Sequence, residues 1–358
     1  MSQNKTKIYS SLYPLSILYG LGVHFRNLLF DWRWLRSRSF DIPVICVGNL
    51  AVGGTGKTPH IEYLIRLLSP HYRIAVLSRG YKRKSKGFQL ADSHSTTWQV
   101  GDEPFQMHAK FPHIRVAVDA DRCHGISQLL QQPEPPEVIL LDDAYQHRYI
   151  KPGLSLLLTD FSRPFFEDTV LPAGRLRENA KGKNRADIII VTKSPNQLSE
   201  GIVAEYIEKI KPKPSQSVFF STLSYGLLQP VFPSTEISIP TDSAHILMVT
   251  GIAQPAPLQD YISQHFKSCS SMIYPDHHHF TATDIQNIRR KFEKIENKQK
   301  AIIVTEKDAV RLIQNPHIPD TLKPYFYYLP VEIVFLHNET KLFNQTILDY
   351  VAENNRNI

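Results

Sequence analysis

The sequence predicts an α/β protein: a mostly parallel sheet with helices on both faces, followed by a second, smaller α/β domain. Three observations predict it. The apolar run Val44 to Val47 leads through Gly48-Asn49-Leu50 into a glycine-rich loop that ends in Gly56-Lys57-Thr58. Short apolar segments and helical segments then alternate, which is the pattern of βαβ units. The alternation breaks at Lys211-Pro212-Lys213-Pro214, ahead of a Pro- and Ser-rich stretch reaching Pro240, and a new alternation starts beyond it. At 358 residues the chain is long for one core, so two domains are expected.

Hydrophobic residues make up 42% of the chain and charged residues 21%, the balance of a globular protein and not of a disordered one. A net charge of +7 and a pI near 9.1 suit an anionic partner: nucleic acid, acidic lipid headgroups or a phosphorylated substrate. Cys46, Cys123 and Cys269 are scattered, which fits a reducing compartment and argues against a disulfide framework or a zinc ribbon.

The elements follow in order. Leu12 to Val23 is mostly apolar, but it is interrupted by Pro14 and is shorter than the roughly 20 residues a spanning helix needs. No small-residue cleavage site follows it, so a removable signal is not expected. Arg26, Arg33, Arg36 and Arg38 are interleaved with Phe25, Phe30, Trp32 and Trp34. Rings at headgroup depth and guanidiniums on phosphates are what an interfacial membrane helix needs. The alternative is an amphipathic helix packed on the protein's own core.

The glycine-rich loop is read as a phosphate cradle, the P-loop arrangement. Its glycines let the backbone N–H groups of Val52, Gly53, Gly54, Thr55 and Gly56 point at an anion, and the helix that follows adds its positive end. Lys57 can reach the β- and γ-phosphates, and the Thr58 hydroxyl can ligate Mg²⁺. The strict pattern has Gly where Ala51 stands; Gly53 and Gly54 supply the tight turn instead. Beyond the loop, Ile74–Leu77, Arg115–Val118, Val138–Leu141, Ser155–Thr159 and Asp187–Thr192 read as buried strands. Asp121–Leu130 and Ser199–Ile210 read as helices. In the second alternation His245–Val249, Met272–Tyr274 and Ala301–Val304 are strands, with Leu258–Phe266 and Thr283–Phe292 as helices. The expected division is a membrane-interface helix over 1–36, a P-loop domain over 37–221 and a smaller α/β domain over 222–330. Residues 331–358 carry a last helix, Lys341 to Glu353, which by itself could join either domain and is assigned to the P-loop domain.

Several motifs carry chemistry. The strand Val138 to Leu141 ends in Asp142-Asp143. In P-loop proteins a carboxylate at this place serves Mg²⁺. Neighbouring side chains on a strand point to opposite faces, so Asp142 is read as serving the metal and Asp143 as reaching water or a neighbouring ligand. The alternative is a helix N-cap followed by a solvated Asp. Gly101-Asp102-Glu103-Pro104 places two carboxylates in a turn, as a candidate general base or as a capping Asp before a helix starting at Pro104. Leu171 to Glu178 offers Arg175, Arg177 and Glu178 beside a turn, with guanidinium forks suited to phosphate oxygens. Arg79 to Lys86 is strongly basic, either a solvated loop or a headgroup or substrate patch. Asp276-His277-His278-His279 suggests a metal at first sight, but adjacent residues rarely converge on one ion. A base or orienting role for one His is the better functional reading. Val191-Thr192-Lys193-Ser194 hints at a guanine-reading strand end, but Pro195 stands where the acidic residue is needed.

Together these segments resemble the tetraacyldisaccharide 4′-kinase family. The resemblance rests on an ordered set running from about residue 44 to 311: Gly48-Asn49 with Val52 to Pro59, Ser78 to Tyr81, Gly101 to Pro104, Asp142 to His147, Leu171 to Gly174 with Leu176-Arg177-Glu178, Thr250 to Ala253, Pro275 to His278, and Thr305 to Arg311. Ala144-Tyr145 replaces the family's usual Gly-Phe and Gln254 its Asn; both leave charge intact and bear on pocket shape. The resemblance implies ATP- and Mg²⁺-dependent phosphorylation of the 4′-hydroxyl of the lipid A disaccharide 1-phosphate precursor. It implies a peripheral or monotopic enzyme on the cytoplasmic face of the inner membrane, with an anionic membrane surface as partner and no nucleic acid. The family's base, an Asp oriented by a His from the other domain, corresponds to Asp102 and His277, with Lys57 and Arg177 as further catalytic groups. Its phosphate and magnesium groups correspond to Thr58, Asp142, Asp143, Gln146, His147, Arg177 and Glu178. The alternatives are a membrane-associated P-loop GTPase or ATPase switch and a kinase of a small soluble phosphorylated metabolite.

Overall fold

The structure is a computed structural model that describes residues 8–232 and 240–355. Its strands are β1 Val44–Asn49, β2 Ile74–Ser78, β3 Gln89–Leu90, β4 Arg115–Val118, β5 Val138–Asp142, β6 Leu154–Asp160, β7 Ile188–Thr192, β8 Ser217–Tyr225, β9 Gln229–Pro230, β10 His245–Thr250, β11 Ser268–Ile273, β12 Lys300–Thr305, β13 Phe326–Leu329 and β14 Val331–Phe335. Its α-helices are α1 Tyr13–Asp31, α2 Lys57–Leu68, α3 Thr97–Val100, α4 Asp102–Lys110, α5 Arg122–Leu130, α6 Glu200–Ile210, α7 Ala256–His265, α8 Ala282–Glu293, α9 Glu306–Ile313 and α10 Thr340–Asn355.

The chain divides into two compact units. The first comprises residues up to His94, Met107–Ser224 and Ile333 onward; the second comprises Ser95–Gln106 and Tyr225–Glu332. In the first unit a nine-stranded sheet has the order β14-β8-β7-β6-β1-β5-β2-β4-β3. β8, β7, β6, β1, β5, β2 and β4 pair in parallel, and β3 joins β4 antiparallel. The central strands are buried along their whole length, as parallel strands covered on both faces must be. Ile61, Leu64, Ile65 and Leu68 of α2 and Phe343, Ile347 and Val351 of α10 pack with Ile45, Val47 and Leu140 in one core cluster. Ile126 and Leu129 of α5 and Ile210 of α6 join a second cluster with Cys46, Ile139 and Leu157. β1 lies between β5 and β6, with Val47 opposite Asp142. Open sheets of this kind hold ligands at the carboxyl ends of such strands.

The second unit has a five-stranded sheet, β11-β10-β12-β13-β9, parallel except for the β13–β9 pair. α8 and α9 cover it through Ile285, Ile288, Phe292, Ala309 and Leu312. α7 covers it through Leu258 and Ile262.

Three differences from the sequence reading have physical causes. Lys211-Pro212-Lys213-Pro214 is only the turn between α6 and β8, and β8 continues the first sheet to Tyr225. Of the Pro- and Ser-rich stretch behind it, residues 233–239 lie outside the described residues. Gly101-Asp102-Glu103-Pro104 opens a helix at Asp102, two residues before the expected start, with Gly101 at φ +95° ahead of it. Ser95–Gln106 groups with the second unit because its side chains are held there: Trp98 stacks on His279, and Asp102 and Glu103 form ion pairs with Arg311 and Lys307.

Candidate active site

β1 ends in the glycine-rich loop, and α2 begins at Lys57. Gly53 and Gly56 adopt φ +109° and +85°, the left-handed region that a side chain makes costly. A Cβ added at Gly53 or Gly54 would meet nothing within 4 Å, so the loop borders open space. Its far side is tied down. Asn49 Nδ2 donates to Thr55 Oγ1 at 2.8 Å, Thr192 Oγ1 donates to the Thr55 carbonyl at 2.9 Å, and Val52 N donates to the Arg175 carbonyl at 2.8 Å. Lys193 Nζ donates to the Gly54 carbonyl at 2.5 Å while pairing with Asp160 at 3.0 Å. Thr192-Lys193, considered above for guanine reading, is therefore a clamp on the loop. Behind it, burial lowers the His60 pKa to about 4. The ring is neutral, and because the Gly56 carbonyl 2.8 Å from Nδ1 can only accept, the proton sits on Nδ1 and Nε2 accepts from Ser221.

A charged network stands at the carboxyl ends of β1 and β5. Asp142, 6% exposed, accepts from Ser78 Oγ at 3.0 Å. Asp143, in the left-handed region at φ +49°, receives the Arg177 fork at 3.1–3.2 Å and lies 3.6 Å from Lys57. Burial pushes the Asp143 carboxyl up, but the charges of Lys57, Arg177 and Arg122 and the Arg177 hydrogen bond outweigh it and hold it below its ordinary value. Gln146 acts as a strut: its Oε1 accepts from Arg177, and its Nε2 donates to the Asn49 carbonyl at 2.8 Å and to Glu178 at 3.1 Å. Glu178, buried, also accepts from Arg185 at 2.7 Å and Asn27 at 3.1 Å. Its oxygens thus brace the Arg177 segment from within the protein. His147 is half-buried, and its Nε2 makes no hydrogen bond. Burial, followed by the nearby Arg122 charge, lowers its pKa. Gly48 is required here by close approach, because an added Cβ would lie 2.6 Å from Tyr145 Cβ. The Tyr145 hydroxyl donates to the Gly182 carbonyl at 2.8 Å, so the Phe-to-Tyr departure is accommodated by a buried hydrogen bond.

α1 docks onto this network along one stripe. Ser16 accepts from Ala173 N at 2.8 Å, Tyr19 donates to the Arg177 carbonyl at 2.9 Å, Asn27 reaches Glu178, and Phe30 is buried. Its outward residues Leu15, Leu18, Leu21 and Phe25 are 55–67% exposed, followed by Trp32 and Trp34. One face of α1 is thus packed on the protein and the other is exposed. No helix of the described residues is long and apolar enough to cross a membrane.

In the second unit Asp102 Oδ2 lies 3.1 Å from His277 Nδ1 and accepts from Arg311 Nη2 and Nε at 2.7 and 3.0 Å. Burial pushes the Asp102 carboxyl up, but His277 and Arg311 outweigh it through hydrogen bonds and charge, holding it far below the usual carboxylate range. Glu103 pairs with Lys307 at 2.7 Å. The three adjacent histidines diverge: His277 faces Asp102, His278 pairs with Asp284 at 3.0 Å, and His279 stacks on Trp98. Among the described residues no group of three or more His, Cys, Asp or Glu side chains is placed to share a metal ion.

Sequence reasoning passed over two arginines. Arg311 sits in a motif that carried the resemblance but was given no role. Arg122, 3% exposed at the start of α5, donates to the Asp119 and Ala120 carbonyls at 3.2 and 3.1 Å, and its buried Nε makes no hydrogen bond. Arg122 lies in the field of Asp142 and Asp143. Its signal was a cation just beyond an apolar strand, β4, of the same parallel sheet.

The family model described as LpxK, tetraacyldisaccharide-1-P 4′-kinase, matches residues 8–352. The chain is similar to the tetraacyldisaccharide 4′-kinase of Bacteroides thetaiotaomicron, at 52% identity over all of this chain and 97% of that one. It is 51% identical to the same enzyme of Phocaeicola vulgatus, over all of this chain and 99% of that one. Its fold matches the crystal structure of LpxK from Aquifex aeolicus in complex with ATP at a TM-score of 0.73 and 28% identity, over 96% of this chain and 99% of that one.

Proposed function

The chain belongs to the tetraacyldisaccharide 4′-kinase family, and we propose the roles that its own residues take in that reaction. It is an ATP-dependent kinase that phosphorylates the 4′-hydroxyl of tetraacyldisaccharide 1-phosphate in lipid A biosynthesis. The loop of Val52 to Thr58 holds the phosphates of ATP. Lys57 places its ammonium where charge builds on the transferring phosphoryl group, and Arg177 supplies a second cation from its seat on Asp143. Thr58 and Asp142 are hard oxygen donors and fit Mg²⁺, which keeps much of its shell as water and substrate oxygens. When bound, that ion neutralises charge on the β- and γ-phosphates. Gln146 and Glu178 brace Arg177 from behind, and His147 stands beside them.

Asp102 receives the proton of the sugar hydroxyl as its oxygen attacks the γ-phosphorus, and His277 orients it. A carboxylate held so far below neutrality is a weak base but is ionised at any working pH. Phosphoryl transfer asks mainly for positioning and charge stabilisation, so a weak, well-placed acceptor suffices. The enzyme is peripheral, with the exposed apolar face of α1 and the exposed arginines that follow it, Arg33, Arg36 and Arg38, on an anionic surface, the cytoplasmic face of the inner membrane. The observation that carries the reading is the loop with Lys57, Asp143 and Arg177 set around it.

The test is ATP consumption with and without a tetraacylated disaccharide 1-phosphate in detergent micelles, in wild type and Lys57→Ala. Lipid-dependent turnover with a 4′-phosphate product is expected, and Lys57→Ala should lose about 10²–10³-fold in kcat while remaining folded. Lipid-independent turnover, or near wild-type kcat in the variant, would contradict it.

A further inference from the structure

Asp102 is held by more than His277. Arg311 lies on α9, its side chain 2% exposed, with Nη2 and Nε both directed at Asp102 Oδ2. Its Nη1 is spent on Asp308 Oδ1 at 3.0 Å and the Gly251 carbonyl at 3.3 Å. Asp308, fully buried, is locked in turn: its Oδ2 accepts from Thr250 Oγ1 and Gly251 N at 3.1 Å each and from Thr305 Oγ1 at 2.6 Å. A chain of charge-assisted bonds therefore runs from the ends of β10 and β12 through Asp308 and Arg311 to Asp102. The Gly251 carbonyl also accepts from His277 N at 3.0 Å, so the same anchor sets both partners of the pair. A guanidinium engaged on two sides by carboxylates is fixed in orientation, which a flexible ammonium would not be.

We propose that Arg311, locked by Asp308, is a positioning residue for the phosphoryl transfer, fixing the Asp102 carboxylate in the orientation in which it meets the sugar hydroxyl. This rests on the reading of Asp102 as the proton acceptor. The groups facing Asp102 are Glu103 on its own helix, His277 with Asp276 3.9 Å beyond its Nε2, and Lys307, Asp308 and Arg311 from α9. Glu103 is paired with Lys307 and Asp308 sits on Arg311, so the guanidinium on Asp102 itself is that of Arg311, with the His277 ring beside it. Asp102 must be ionised to accept a proton, so activity is lost as pH falls through its pKa. Removing Arg311 raises that pKa and moves the loss to higher pH.

The test is kcat against pH on the full chain, with saturating ATP, Mg²⁺ and lipid substrate in micelles, for wild type, Arg311→Met, Arg311→Lys, Asp308→Asn and Asp102→Asn. Wild-type kcat should stay flat on the acid side of the working range, and Arg311→Met should bring the acid limb up toward it by about 1–3 pH units. Its kcat should fall about 10–100-fold, with KM for ATP little changed. Arg311→Lys should return the limb toward wild type but recover only part of kcat, because charge is restored without the fork. Asp308→Asn keeps the Arg311 charge but frees one side of its fork, so it should lower kcat by less than Arg311→Met without raising the limb, and that kcat loss decides the matter if Arg311→Met does not fold. A folded Arg311→Met with an unmoved limb and wild-type kcat, or failing that Asp308→Asn with wild-type kcat, would overturn the proposal. Wild-type kcat in Asp102→Asn would instead overturn the acceptor reading on which it rests. An inactive Asp102→Asn beside an unaffected Arg311→Met overturns the role of Arg311 alone.

Discussion

At pH 7 the buried His60 ring is neutral, with its Nδ1 proton on the Gly56 carbonyl at the mouth of the loop. Its pKa of about 4 lies below the ordinary 6.5, so the unfolded chain binds a proton between those values and the folded chain does not. Stability therefore falls as pH drops from 6.5 toward 4, by up to about 1.4 kcal/mol per pH unit for this proton. Urea unfolding at pH 7 and pH 5 should show that slope in wild type and a smaller one in His60→Gln. Equal slopes would mean that the ring finds a partner for its second proton. Nothing in the sequence marked His60, because its meaning comes from being buried on the inner face of α2 against Ser221. Lys57, Thr58 and Asp142 were legible, since the spacing of a strand, a glycine-rich loop and a second strand end fixes where they fall. The Asp102–His277 contact came only through the resemblance, because 175 residues separate the two and no periodicity relates them. Arg311 was visible as a motif residue and silent as chemistry, because its role depends on Asp308 holding its other side.

Among the elements, α1 has two faces with opposite demands. Its docked stripe includes Gly20, where an added Cβ would lie 3.3 Å from Val170 Cγ2, so the helix approaches closely there. Its outer stripe of Leu18, Leu21 and Phe25 recurs at helical spacing and leaves large apolar side chains in water, a surface suited to lipid. Changing these three to Glu should cost about 0.5 kcal/mol of stability or less each, since they touch little. Binding to anionic vesicles should fall and the KM for lipid substrate should rise. Unchanged vesicle binding, or loss of folding, would place the stripe against protein instead. The sequence supplied the helix but could not assign its faces, because apolar residues occur all round it. β8 was hidden for the opposite reason: Pro212 and Pro214 precede it and Ser217, Ser221 and Ser224 punctuate it. It is buried only over Phe219 to Ser221 and half-exposed at Val218, Thr222 and Leu223, one strand in from the sheet edge.

For the whole molecule, the α/β class and the strands around the loop followed from apolar runs of strand length separated by helical stretches. The grouping of segments did not. Ser95–Gln106 lies between strands of the first sheet in sequence yet is tied by Trp98, Asp102 and Glu103 to His279, Arg311 and Lys307 of the second unit. Such ties between side chains far apart in sequence leave no local pattern. They also put Asp102 and His277 in one compact unit, where the resemblance implied a His from the other domain. In the proposed reaction Asp102 accepts the hydroxyl proton and His277 orients it, so the two act as one unit. Groups that act as a unit are non-additive when removed. The most direct measurement is kcat at saturating ATP, Mg²⁺ and lipid for Asp102→Ala, His277→Ala and the double variant. Comparable losses in the two single variants, with the double variant no worse than the more damaged of them, is the expected result. Fully additive losses, or a His277→Ala variant with wild-type kcat, would contradict the claim.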